Sequence, residues 1–270
     1  MKIFKILFQF YVFSNLHVSI AVCCLVQITG TLFKVDVFYE SLLLAFSTFV
    51  AYHLIRYLNR FKYGKVHLLD RFSNQYKRAI VVMNVVAFLG SIILFFQFKF
   101  LELLRLIPFG VVTLFYAFSF LNIHGERYSL RYIPGLKIFI IAFVWAGVVV
   151  FFMLDFSKQT FLYFLELMFF VVALTLPFDI RDYNFDIDKI KTLPIVLGVK
   201  NTKFLGSILL FVSTALHFYN FGYHGFWEFT CVNIVLLIML LFSRTKQSTY
   251  YASFWIEGVP ILYYLIVIYT

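Results

Sequence analysis

Nine apolar segments run through this 270-residue chain with only short polar stretches between them, each approaching the ~20 residues a helix needs to cross a bilayer. They lie near 7–31, 38–58, 79–97, 101–121, 136–154, 160–177, 204–220, 226–242 and 251–269. Hydrocarbon offers no partner to a free backbone N–H or C=O, so each segment that spans must be helical. Apolar residues make up 63% of the chain and charged residues 13%, against roughly 25% charged in soluble proteins. The expected fold is therefore all-α: one polytopic helical bundle of nine transmembrane helices over residues 1–270, with no separate soluble domain.

Charge sets the expected orientation. With the N-terminus in the cytoplasm and the sides alternating, 19 of the 23 Lys and Arg fall in cytoplasmic loops, leaving Lys34, Lys99, Arg105 and Lys158 outside. That distribution follows the positive-inside rule, so the net charge of +10 reports topology and argues against a nucleic-acid partner. Attraction to anionic membrane lipid adds to it. Met1-Lys2-Ile3-Phe4-Lys5 leads into the first apolar segment without a small-residue cleavage site, which makes that segment a retained span of a multi-pass protein, placed in the cell membrane. Cys23, Cys24 and Cys231 lie inside apolar segments without metal-ligand spacing and read as packing residues.

The longer polar stretches follow the second, fourth and sixth segments, so any reactive face opens to the cytoplasm. The last of them carries the densest chemistry. Asp179, Asp182 and Asp186 are spaced i, i+3, i+7, which places all three carboxylates on one helical face. Like charges so grouped raise one another's pKa unless a positive group sits between them. A Mg²⁺ ion bridging carboxylates to phosphate oxygens meets that need. The bland alternative is a solvated loop beside Arg181, Lys189 and Lys191. Pro177, just before the run, is expected to kink or end the sixth span. Lys191-Thr192-Leu193-Pro194 through Gly198 reads as a short returning helix with Thr192 as cap and Pro194 in the first turn.

Asp179-x-x-Asp182-Tyr183-x-x-Asp186, followed by Lys191-Thr192-Leu193-Pro194 and Gly198, resembles the second aspartate-rich motif of the UbiA-type intramembrane prenyltransferases. The stretch Tyr128 to Lys137 is similar to that family's loop after helix 4. The resemblance implies nine helices around a lipid-facing cavity in which Mg²⁺ holds a prenyl diphosphate. Loss of diphosphate then leaves an allylic carbocation that a lipophilic acceptor, of aromatic or quinone type, attacks. On this sequence it implies that Asp182 and Asp186 hold the metal with help from Asp179, and that Lys191 neutralises diphosphate charge.

The family's first motif, Asn-x-x-x-Asp-x-x-x-Asp on helix 2, has no counterpart here. The region reads Ala51-Tyr52-His53-Leu54-Ile55-Arg56-Tyr57-Leu58-Asn59-Arg60, where His53, Arg56 and Arg60 take the i, i+3, i+7 positions and no acid occurs. Three readings stay open. Arg56 and Arg60, with His53, grip the diphosphate in place of one metal ion, leaving a single Mg²⁺. They pair with Asp179, Asp182 or Asp186 and close the site, giving a catalytically inactive lipid- or isoprenoid-binding relative. Or they anchor the helix end by snorkelling to headgroups. Of the 56 Phe and Tyr side chains, Tyr52, Tyr57, Tyr116, Tyr132 and Tyr183 fall nearest the expected cavity mouth.

Overall fold

The computed structural model describes residues 2–60, 68–118, 121–123, 126–186 and 191–270. The apolar segments form helices α1 (Lys2–Phe13), α2 (Leu16–Phe33), α3 (Phe38–Arg60), α4 (Leu68–Gln75), α5 (Lys77–Phe95), α6 (Phe100–Leu104) and α7 (Ile107–Ala117). A small antiparallel ribbon follows, β1 (Leu121–Ile123) with β2 (Glu126–Tyr128), pairing Leu121 with Tyr128 and Ile123 with Glu126. Then come α8 (Lys137–Phe151), α9 (Lys158–Asp186), α10 (Leu193–Leu197), α11 (Val199–Phe221), α12 (Phe226–Phe242), a π-helical turn Tyr251–Ile256 and α13 (Val259–Tyr269). Pro108, Pro194 and Pro260 each fall at the second residue of a helix. There the missing N–H has no partner to lose and the fixed φ favours the first turn.

The described residues form a membrane-type helical bundle. Seven of its helices are long and apolar enough to cross a bilayer, α6 and α7 counting together, as do the π turn and α13. Two further segments of the expected nine, α8 and α12, are apolar but only 15 and 17 residues long. The first expected span, 7–31, is not one helix. It breaks at Ser14-Asn15, where Asn15 takes a left-handed φ of 66°, a conformation Asn tolerates better than most residues. α1 thereby becomes a separate helix.

The second departure is at Pro177, which neither ends nor detaches the helix. α9 runs unbroken for 29 residues, carrying the acidic run within it. Gln247 Nε2 donates to the Pro177 carbonyl at 3.2 Å, and Thr175 Oγ1 bonds the carbonyls of Val171 and Val172 at 3.0 and 2.9 Å. The carbonyl that a proline at 177 leaves without its usual donor is that of Ala173, four residues back, and burial against neighbouring helices lets a membrane helix carry that cost.

α9 is the axis of the fold, packed against α8, α11 and α12, while α2 packs against α3, α8 and α13. These two helices bury 61% and 67% of their apolar windows, whereas α5 buries 11% and so presents most of its surface to lipid. Between helices in lipid, close packing replaces the hydrophobic effect and small residues mark the contacts. Phe109 of α7 lies over Gly147 of α8 so closely that a Cβ there would stand 1.9 Å from the ring. α1, α4 and the start of α5 add a satellite cluster, Val12, Phe13, Phe72 and Ile80, with Tyr250 and Phe254 packed on it.

Candidate functional site

The face read from the sequence is real, and what lies between its charges is a lysine. Asp179, only 2% exposed, accepts a hydrogen bond from Lys137 Nζ at 2.6 Å, and Asp186 Oδ2 lies 3.8 Å from the same nitrogen. Lys137 begins α8, 42 residues earlier, and reaches across the α8–α9 contact. Asp182 is engaged by its own neighbour: Arg181 Nε and Nη2 donate to its two oxygens at 2.8 and 3.0 Å. Arg181 also donates through Nη1 to Ser253 Oγ at 2.9 Å and lies over the Phe178 ring at 5.3 Å. A solvated loop is therefore excluded for Asp179–Asp186, which is helical with a buried start; Lys189 lies outside the described residues.

The two loop blocks meet. Gly135 N–H donates to the Lys191 carbonyl at 2.8 Å, tying the segment before α8 to the segment after α9. α10 forms where expected, with Thr192 at its N-cap and Pro194 in its first turn, but the Thr192 side chain makes no capping bond and its hydroxyl is buried without a partner. The Lys191 side chain is exposed.

On the other flank, His53 and Arg56 project from α3 toward the α1–α2 break. Arg56 Nη1 donates to the Phe13 carbonyl at 3.0 Å, satisfying a C-terminal carbonyl of α1, and Nη2 donates to Asn15 Oδ1 at 2.7 Å. His53 Nδ1 lies 2.9 Å from the Phe49 carbonyl and 3.2 Å from Asn15 Nδ2. It serves one of them at a time, donating to the carbonyl in one tautomer and accepting from the amide in the other. The ion pairs seen for Asp179 and Asp182 come from Lys137 and Arg181, whereas the pairing reading had assigned them to Arg56 and Arg60. Arg60 is the last residue of α3, and its side chain lies outside the described residues.

Tyr52 and Glu257 are half-buried. Tyr52 is within electrostatic range of Glu257, Arg56 and Tyr116. Lys137 is within range of Tyr116 and Arg131, and the Arg131 guanidinium stands 6.0 Å from the Tyr116 ring centre. Tyr52 thus joins the α8–α9 flank to the Arg56–Glu257 flank. Tyr57 is 60% exposed and points away. A lipid-facing groove between α3 and α5, lined by Leu43, Ile92 and Phe95 among others, contains no charged residue and no chemistry.

Among the described residues, no group of three His, Cys, Asp or Glu is placed to hold a metal ion. Asp179 is held by Lys137 and Asp182 by Arg181, whereas Asp186 Oδ2 is buried without a hydrogen bond. That donor set fits one hard cation whose remaining ligands come from phosphate and water.

The sequence singled out neither Lys137 nor Arg181 as a site residue, and missed Glu257 and a second buried pair at the opposite end of α9. There Glu166 Oε1 bonds His217 Nδ1 at 2.8 Å, His217 Nε2 donates to the His224 carbonyl at 3.1 Å, and Ser213 Oγ donates to the Glu166 carbonyl at 2.8 Å. The available signal was the cost of charge in a span: a lysine opening an apolar run and a glutamate within one each require a partner.

No protein-family model matches the chain, and no curated protein matches it. Among solved structures it is similar to a digeranylgeranylglyceryl phosphate synthase of membranes, with a TM-score of 0.54 and 13% identity over 97% of each chain. At that identity the likeness is one of fold.

Proposed function

We propose that this chain is an integral membrane prenyltransferase-like protein that binds a prenyl diphosphate at the acidic face of α9 beside α8 and passes its isoprenyl group to a lipophilic acceptor. The observation that carries the reading is the cluster of Asp179, Asp182 and Asp186 with Lys137 and Arg181, in a fold similar to that of a digeranylgeranylglyceryl phosphate synthase in membranes. The positive-inside pattern supports this end, and the N-terminus, facing the cytoplasm.

Lys137 and Arg181 hold the acids in register and supply positive charge where the diphosphate gathers negative charge. Lys191, exposed beside α10, draws the headgroup in from the rim. Arg56, held by its bonds to Phe13 and Asn15 and with His53 beside it, borders the substrate from α3. Asp186, with Asp182 and Asp179 adjoining it, would hold one Mg²⁺. When bound, that ion supplies charge stabilisation to the departing diphosphate. The allylic C–O bond breaks with its electron pair leaving on the diphosphate, and the acceptor attacks the resulting cation, which the Tyr52 and Tyr116 rings face.

A second reading, an inactive isoprenoid-binding relative, is favoured by one specific observation: both Asp182 oxygens are already occupied by Arg181. Binding of labelled geranylgeranyl diphosphate to the purified protein in detergent, with Mg²⁺ and with EDTA, separates the two. Binding that EDTA abolishes supports metal-dependent transfer. Binding that survives EDTA supports the relative that holds isoprenoid through its cationic side chains alone. Absence of binding in both conditions sinks the diphosphate site.

A further inference from the structure

α1 is built in two unlike halves. In the second half Val12 and Phe13 are 4% and 3% exposed and pack with Phe72 and Ile80. Phe8 stacks on Tyr250 and meets Phe254 edge-on, with ring centres 5.5 and 4.9 Å away. Polar bonds fix the same half. Arg56 Nη1 donates to the Phe13 carbonyl at 3.0 Å. The Tyr11 hydroxyl donates to His17 Nδ1 at 2.7 Å, and His17 Nε2 donates to the Phe254 carbonyl at 2.9 Å. The first half is open. Ile3 and Phe4 are each 75% exposed, Leu7 63% and Ile6 37%, and Lys5 among them is exposed as well.

Four large apolar side chains left open within five residues need a surrounding other than water. A full crossing of the bilayer does not supply it. α1 has 12 residues, about 18 Å of helix against roughly 30 Å of hydrocarbon, and α2 is long enough to cross by itself. Nor does α1 extend α2 into water. The left-handed Asn15 breaks the axis, and Phe8 and Phe13 lie on Tyr250 beside the π turn. Arg181 bonds Ser253 of that turn at 2.9 Å, so α1 lies at the end of the bundle that carries the acidic face of α9. A short helix held there, with open apolar side chains and interspersed lysine, has the make-up of a helix lying in the membrane interface. Its charge selects the lipid. Lys2 and Lys5 belong to α1, and no acid occurs before Asp36. The Tyr76 ring meets Phe10 of α1 at 5.8 Å, and Lys77 and Arg78 follow it, both exposed. Cations gathered around an interfacial helix attract anionic headgroups.

We propose that α1 is an interfacial helix rather than part of a span, with Ile3, Phe4 and Leu7 seated in the upper acyl chains of one leaflet, and that Lys5, Lys77 and Arg78 gather lipid of net negative headgroup around it. The inference is independent of prenyl transfer and requires only that the chain spans a membrane. The seat adjoins the candidate site, because the carbonyl that Arg56 holds belongs to the last residue of α1.

The test uses the full chain in lipid nanodiscs and Phe4→Trp, read as the difference in fluorescence from the parent, which has 3 Trp of its own. Bromines near the carboxyl end of the acyl chains are expected to quench the added indole more than bromines near the methyl end. Stronger quenching from the methyl end, which puts the helix deep in the core, overturns the interfacial seat. Quenching by neither, which leaves it in water, overturns it too. The lipid preference is read in bilayers of equal phosphatidylglycerol and phosphatidylcholine, with the bromines on one lipid or the other. Brominated phosphatidylglycerol is expected to quench roughly twice as strongly, and Lys5→Gln/Lys77→Gln/Arg78→Gln to remove the difference. Equal quenching before those charges are removed, or a preference that survives their removal, overturns the anionic selection. All four substituted positions are exposed, so the packed half of α1 is left as it is.

Discussion

α9 carries acids at both ends, and the two ends have been built to opposite rules. Glu166 and its partner His217 are 1% and 0% exposed, sealed among Phe221, Phe229 and Tyr263. About 20 Å along the helix axis, Asp179 is 2% exposed, whereas Asp182 and Asp186 keep 22% and 15% of their side-chain surface accessible. Both ends pair acid with base across helices. A sealed pair can only fix α9 to α11, whereas a pair with accessible oxygens can exchange partners with a ligand. Buried ionic residues in a membrane span therefore do not mark function by themselves; access decides.

The comparison can be broken by experiment. The largest effect is expected from Lys137→Ala, which strands Asp179 in the interior and should cost roughly 3–5 kcal/mol in denaturant unfolding in detergent. The double variant Lys137→Met/Asp179→Leu should recover most of that stability and none of the diphosphate binding. If it binds as tightly as the parent, the open end is structural too. His217→Leu leaves Glu166 without its partner and should cost about 3 kcal/mol, with diphosphate affinity unchanged; a fall in affinity would mean the sealed end communicates with the site. Gly147→Ala, which forces a Cβ into the Phe109 ring midway along α8, should cost about 2 kcal/mol with no change in binding. It calibrates what a purely packing defect does. Asn15→Gly keeps the left-handed turn but removes the bonds to Arg56 and His53, and should cost about 1 kcal/mol. Smallest in stability is Lys191→Ala, within about 0.5 kcal/mol of the parent because the side chain is exposed. Its diphosphate affinity should nonetheless drop in isothermal titration; an unchanged value removes Lys191 from the site.

Much of this was legible from local pattern. The apolar runs gave helices, Pro194 marked a helix start, and the i, i+3, i+7 spacing put three acids on one face of α9. The misreadings share a cause: each depended on a contact distant in sequence. Arg181 reads as a solvated charge until Ser253, 72 residues on, fixes it over Asp182. The first span looks continuous until Asn15 is seen turning left-handed to meet Arg56, 41 residues away.

What the sequence alone determined is the class of solvent this chain folds in and the helical backbone that solvent compels, because hydrocarbon penalises every unpaired N–H and C=O regardless of what surrounds the segment. It also placed charge at one end of α9, since helical periodicity is a property of the chain itself. Only the tertiary structure decided what those charges do. Lys137 comes to lie between Asp179 and Asp186 because α8 packs on α9, and the π turn Tyr251–Ile256 is held by Arg181 and His17 from two other helices. A charge in a low-dielectric interior takes its meaning from the nearest opposite charge, and that neighbour is chosen by packing.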